Sequence, residues 1–159
     1  MPPTKILIVD DHEILTDSLV LRLSTVPGLV LLDRYATTDP TLVRDIGALR
    51  PDVTTVDVEE IGHRTGPFIR SLLDAWPNGQ VVVLSASKEP ALAVAAARAG
   101  AASWVDKTSS IEDLVDVLSG VGQGLAWYPP WHLGHILRAL LRDARAGSVG
   151  RAPSGGHRG

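Results

Sequence analysis

At 159 residues, with 45% apolar and 21% charged side chains, the chain is long enough for one domain with a buried core plus some tail. A formal charge of -3 gives no general reason to bind nucleic acid or an anionic membrane, although the last stretch is locally basic (Arg138, Arg142, Arg145, Arg151, Arg158). The absence of cysteine excludes disulfides, thiolate chemistry and Cys-ligated zinc.

Met1-Pro2-Pro3-Thr4-Lys5 leads straight into a strand with no signal peptide, and no apolar run is long enough to span a bilayer, so a cytoplasmic location with no membrane partner is expected. Short apolar runs at 6–9, 29–32, 53–56, 81–84 and 102–105 alternate with segments of helical period. That alternation predicts βαβ units around an open parallel sheet. Leu15, Leu19, Leu23 and Val26 mark the first helix, which Pro27-Gly28 stops. Asp39-Pro40 reads as N-cap and first helical residue of a helix burying Leu42, Val43, Ile46 and Leu49. Pro67 opens a third helix with Phe68, Ile69, Leu72, Leu73 and Trp76 on its stripe, and Pro77-Asn78-Gly79 turns the chain. The fourth helix starts at Pro90, is Ala-rich and ends at Gly100; the fifth carries a near capping box, Ser110 with Asp113. Its stripe is Ile111, Leu114, Val115, Leu118 and Val121.

Five strand-helix pairs are thus complete within residues 1–124. The Trp127-Tyr128-Pro129-Pro130 connector and a linker helix, with Leu133, Ile136, Leu137, Leu140 and Leu141 roughly on one side, occupy 125–146. Residues 147–159, rich in Gly, Ser, Pro and Arg, read as a disordered tail.

Ligands of open parallel α/β sheets bind outside the carboxyl ends of the strands. Asp10 and Asp11 follow strand one, Asp57 closes strand three, Ser85 closes strand four and Lys107 follows strand five. Three carboxylates in one crevice imply a cation, and Mg2+, an octahedral oxygen binder, suits Asp10, Asp11 and Asp57. Asp57 then has the chemistry of a nucleophile toward phosphorus; Lys107 neutralises phosphoryl charge and the Ser85 hydroxyl donates to a phosphoryl oxygen. Singly, each residue has an ordinary alternative: Asp10 or Asp11 as a helix cap, Asp57 as a loop acid, Ser85 as a loop hydroxyl, Lys107 as a solvated lysine. Those alternatives must all coincide at four strand ends to explain the pattern.

These residues, in Ile8-Val9-Asp10-Asp11-His12-Glu13, Val53-Thr54-Thr55-Val56-Asp57, Val82-Val83-Leu84-Ser85-Ala86 and Gly100-Ala101-Ala102-Ser103-Trp104-Val105-Asp106-Lys107, resemble the receiver domain of bacterial two-component response regulators over residues 5–122. The wording around Asp10-Asp11-His12 and Gly100-Ala101 is most similar to regulators with a LuxR-type helix-turn-helix output. The resemblance implies a flavodoxin-like (βα)5 doubly wound parallel sheet of strand order 2-1-3-4-5, here with an extra C-terminal helix. It also implies a phosphoprotein that takes a phosphoryl group on Asp57 from a sensor histidine kinase with Mg2+. The backbone carbonyl of Glu59 joins the metal ligands, and Ser85 and Trp104 are the switch pair. By the same resemblance the protein is a signalling domain rather than an enzyme, and regulates transcription through a DNA-binding output domain not present in this chain. A homodimer is expected, through the face of the fourth helix, fifth strand and fifth helix or through the C-terminal helix. Glu60-Ile61 stand where the family has Met-Pro, and Gly66 comes about one residue late. Thr54 and Thr55 are unusual in a strand buried on both faces. These departures keep a second expectation in play: a phosphorylation-independent receiver that binds a protein or small ligand.

Other patterns are weaker. Asp10-Asp11-His12 opens like a cobalamin-binding signature but has Leu15 where Gly is required, and Asp57-Val58-Glu59 has Glu where a phosphatase pair needs Asp. His132 and His135, at i and i+3, fit a metal pair less readily than two polar-face residues.

Overall fold

The computed structural model describes residues 2–149, with no side-chain description at positions 14, 15 and 149. The apolar, partly β-branched runs form β1 (Thr4–Val9), β2 (Leu29–Tyr35), β3 (Val53–Asp57), β4 (Gln80–Ser85) and β5 (Ser103–Asp106). All pairings are parallel, in the order β2-β1-β3-β4-β5 that the family resemblance implies. Between them run α1 (Glu13–Leu23), α2 (Leu42–Leu49), α3 (Thr65–Ala75), α4 (Pro90–Arg98) and α5 (Ile111–Gly122), followed by α6 (Pro130–Val149). The expected tail beyond residue 149 lies outside the described residues, and positions 147–149 continue α6.

Alternate strand residues point to opposite faces, and each face has its own core. Leu7, Val9, Val56, Val81, Val83 and Trp104 pack under α2, α3 and α4, joined by Ile136 of α6. Ile6, Ile8, Val53, Val82, Leu84 and Val105 pack under α1 and α5, where Leu19, Leu23, Leu114 and Leu118 are buried. Thr54 and Thr55 do sit in this doubly covered strand, each 1% exposed, and the Thr55 hydroxyl finds no partner among the described residues.

Local chemistry moves several helix starts. α2 begins at Leu42 rather than Pro40, because Asp39 Oδ1 accepts from the Thr41 amide (2.8 Å) and hydroxyl (2.6 Å), a side-chain turn that delays the helix. Val43 is exposed, not buried; it lies one residue off the Leu42, Ile46 and Leu49 stripe. α3 starts two residues before Pro67, after a 3-10 turn at Gly62–Arg64; Pro67 is tolerated there because amides of the first helical turn lack intrahelical partners anyway. Trp76 is half-buried, with its indole N–H donating to the Pro51 carbonyl at 2.8 Å. Pro90 opens α4 and Ser110 caps α5 through the Asp113 amide (3.1 Å), as the sequence indicates. Gly100 ends the α4 segment at φ +104, a conformation that side chains disfavour, and lets the Ala101 amide return to the Ala96 carbonyl.

α6 corrects the expectation for its stripe. Its buried face is His132, Ile136 and Ala139, whereas Leu133, Leu137, Leu140 and Leu141 are 41–59% exposed. Small Ala139 allows close approach to the Ala-rich α4, and Arg98 on α4 holds Asp143 through two hydrogen bonds of 2.9 and 2.8 Å. His132 is therefore a core residue rather than half of a polar-face pair, while His135 is exposed.

Candidate phosphoacceptor site

Register brings the acids together. Val9 pairs with Val56 and Asp57 with Leu84, so Asp10 and Asp57 leave neighbouring strands at one level, with Ser85 one step further, opposite Asp106. Asp57 is 3% exposed. Its Oδ2 accepts from the Lys107 ammonium at 2.6 Å and contacts His12 Nδ1 at 2.8 Å, and its Oδ1 accepts from the Glu59 amide at 3.0 Å. Burial pushes the Asp57 carboxyl up, but Lys107, the Glu59 amide and His12 outweigh it and hold it below the usual carboxylate range. Asp10 goes the other way: burial, aided by the neighbouring Asp57 charge, raises it against the lowering hydrogen bond from the His12 amide. Two carboxylates driven apart in this way mark a site built around charge.

Among the described residues, the group with metal-ligand spacing is Asp10, His12 and Asp57, their ligand atoms all within 4.8 Å of one another. Asp11 is not in it. Its carboxylate faces Thr37, accepting from the amide at 2.8 Å and from the hydroxyl. Sequence reasoning assigned His12 no role. Its Nδ1 lies 3.4 Å from Asp10 Oδ1 and 2.8 Å from Asp57 Oδ2, so the imidazole sits between the two acids, and the Asp57 hydrogen bond raises its pKa. The available signal was its place two residues after Asp10, on the loop leaving β1. Neither acid supplies the side-chain cap of α1; the N-cap is His12, whose amide donates to Asp10 Oδ1 at 2.7 Å. The two carboxylates are hard oxygen donors of the kind Mg2+ takes.

On the other side of Asp57, Ser85 is 1% exposed, and its hydroxyl donates to Glu59 Oε1 at 3.3 Å. The Ala86 amide donates to the same oxygen at 2.7 Å. Trp104 is turned inward, 1% exposed, with its ring edge-on to His132 at 5.1 Å between centroids.

A family model described as the response regulator receiver domain matches residues 6–119. The chain is 28% identical over 126 residues to the response regulator GacA of Pseudomonas aeruginosa, covering 79% of this chain and 58% of GacA. It is 32% identical over 152 residues to protein-glutamate methylesterase/protein-glutamine glutaminase 2 of Cereibacter sphaeroides, covering 94% of this chain and 36% of that protein. It thus spans less than two thirds of either relative. A solved two-component response regulator of the LuxR family from Aurantimonas sp. SI85-9A1 superposes with a TM-score of 0.73 at 21% identity, covering 87% of this chain and 99% of that one, a likeness of fold.

Proposed function

The chain belongs to the response regulator receiver domain family, and from that premise we propose that Asp57 accepts a phosphoryl group from the phosphohistidine of a sensor kinase. The observation that carries this reading is the buried Asp57 carboxylate, hydrogen-bonded to Lys107 and beside Asp10 at the carboxyl end of the sheet. An Asp57 oxygen attacks phosphorus, the P–N bond to the donor imidazole breaks, and the electron pair leaves with that nitrogen. Lys107 compensates charge on the transferred group, and Ser85 with the Ala86 amide offers hydrogen-bond donors to its oxygens. Asp10, Asp57 and the Glu59 carbonyl are the proposed Mg2+ ligands, with Asp11 joining them on release from Thr37. Bound there, Mg2+ supplies positive charge that lets two anions approach. His12, 46% exposed at its side chain, has room to swing away from the acids.

The proposed output is transcriptional control through a DNA-binding domain, a reading supported by the resemblance to LuxR-type regulators. No turnover of an external substrate is proposed. Among the described residues no helix is long and apolar enough to cross a membrane; a cytoplasmic location stays part of the proposal. So does self-association, for which α6 offers exposed leucines.

Intact mass after incubation with Mg2+ and acetyl phosphate tests the central step. A single phosphoryl adduct that disappears in Asp57→Asn is expected; full labelling of the Asn variant refutes the assignment.

A further inference from the structure

We propose that the Glu59 carboxylate is an internal occupant of the phosphoryl-oxygen site, holding the Ser85-Trp104-α6 arrangement together when Asp57 carries no phosphoryl group. The inference rests on the reading that Asp57 is the acceptor and that Ser85 and Ala86 face its phosphoryl oxygens. Glu59 follows Asp57 by two residues and its amide is pinned to Asp57 Oδ1. From there the side chain reaches across to β4, where one oxygen, Oε1, takes both the Ala86 amide (2.7 Å) and the Ser85 hydroxyl (3.3 Å). A carboxylate oxygen and a phosphoryl oxygen offer those donors the same partner, a hydrogen-bond acceptor. Glu59 is itself exposed, so burial does not force its carboxylate to this place.

The filled donors have consequences further along the chain. Ser85 Oγ accepts the Ser87 amide (3.0 Å), and Ser87 Oγ accepts the Glu89 amide (3.1 Å) one residue before α4 begins. The Ser87 carbonyl meets His132 Nε2 of α6 at 3.2 Å. Lys88 pairs with Asp106 (3.0 Å) and lies 3.8 Å from the ring centroid of Trp131. Trp104 completes the contact by packing inward against His132. One continuous chain of contacts thus runs from Glu59 to the docked face of α6, with an anion at its head already in place. A phosphoryl group on Asp57 has to displace Glu59 to reach the same donors, and on doing so it keeps the chain intact. The arrangement is therefore set without phosphorylation, and Glu59 is the residue that sets it.

The test uses the full chain as wild type, Glu59→Ala and Glu59→Gln. Amide hydrogen exchange is followed over residues 130–149, and the Trp104 resonance is followed by 19F NMR of 5-fluorotryptophan protein, with and without Mg2+ and beryllofluoride. Glu59→Ala should speed exchange in α6 at least tenfold and shift the Trp104 signal, and beryllofluoride should restore both. Glu59→Gln keeps the Oε1 acceptor and should stay within about threefold of wild type, a rescue that loss of side-chain bulk does not explain. Exchange in Glu59→Ala within twofold of wild type overturns the inference, as does loosening that bound beryllofluoride leaves uncorrected. The acceptor reading is judged separately: absence of a bound beryllofluoride 19F signal in wild type and Ala variant alike counts against Asp57, while the Ala comparison without beryllofluoride still decides the role of Glu59.

Discussion

Lys107→Met isolates the electrostatics of the site. Its ammonium, 16% exposed, lies 2.6 Å from an oxygen of a carboxylate that is 3% exposed. Removing one partner of a buried ion pair costs about 3–5 kcal/mol, because a charge is left behind without water or counter-charge. Here the Glu59 amide and His12 still hold Asp57, and the lysine is not fully buried, so about 2–3 kcal/mol is expected at pH 7. The sign of the pH dependence follows from the depressed Asp57 pKa, in which burial is outweighed by Lys107, the Glu59 amide and His12. A carboxylate so held contributes stability that is present above its unfolded value of about 3.9 and lost as pH falls through the lower folded value. Without Lys107 the burial penalty is opposed less, so the gap between wild type and variant, read by urea unfolding, should narrow as pH falls below that unfolded value. In an Asp57→Asn background the same Lys107→Met change should cost less than about 1 kcal/mol, since no buried charge is stranded. Equal costs in the two backgrounds would refute the reasoning.

His12→Ala should tighten Mg2+ binding and speed labelling by acetyl phosphate, because the imidazole contacts both Asp10 and Asp57 where a shared cation belongs; weaker binding by calorimetry would identify His12 as a helper instead. His132 makes α6 docking acid-sensitive. Its pKa is lowered chiefly by burial and further by Lys88 and His135, against the opposing Ser87 carbonyl and Asp106. The docked neutral form therefore contributes stability that is complete above about pH 6.5 and is lost as pH falls through the depressed value. Exchange over 130–149 should accelerate as pH drops below 6.5 after correction for intrinsic rates, and His132→Phe should flatten that profile.

The sheet was legible because its signal is redundant: each run is apolar, partly β-branched and followed by a helix with period 3.6, and the two cores separate by simple alternation, Ile6 and Ile8 to one face, Leu7 and Val9 to the other. Asp10, Asp57, Ser85 and Lys107 were legible for the same reason, since strand ends in a parallel sheet converge whatever the loops do. Rotamers inside the loops were not. Whether Asp11 turns to Thr37 or toward Asp57 depends on a threonine 26 residues away, and Glu59 reaches Ala86 across 27 residues. α6 failed differently. A stripe of leucines signals burial only when a complementary surface exists, and the Ala-rich α4, with Arg98 paired to Asp143, takes the face of α6 that carries His132, Ile136 and Ala139 instead.

The position of α6 also bears on how two copies would meet. The sequence points to the face of α4, β5 and α5 or to the C-terminal helix as separate choices, yet α6 already lies on α4 and buries His132, Ile136 and Ala139 there. Pairing through α4 requires α6 to leave, which exposes those side chains, breaks the Arg98–Asp143 pair and withdraws His132 from Trp104 and Ser87. Pairing through the outer side of α6 requires none of this. Leu133, Leu137, Leu140 and Leu141 are already in solvent, with Trp131 on the same helix and Leu125 and Trp127 in the connector before it, and exposed apolar surface of this kind is where partners bind. The helix that covers α4 thus offers the less costly surface for association, and the 85–89 loop touches that helix through the Ser87 carbonyl and Lys88.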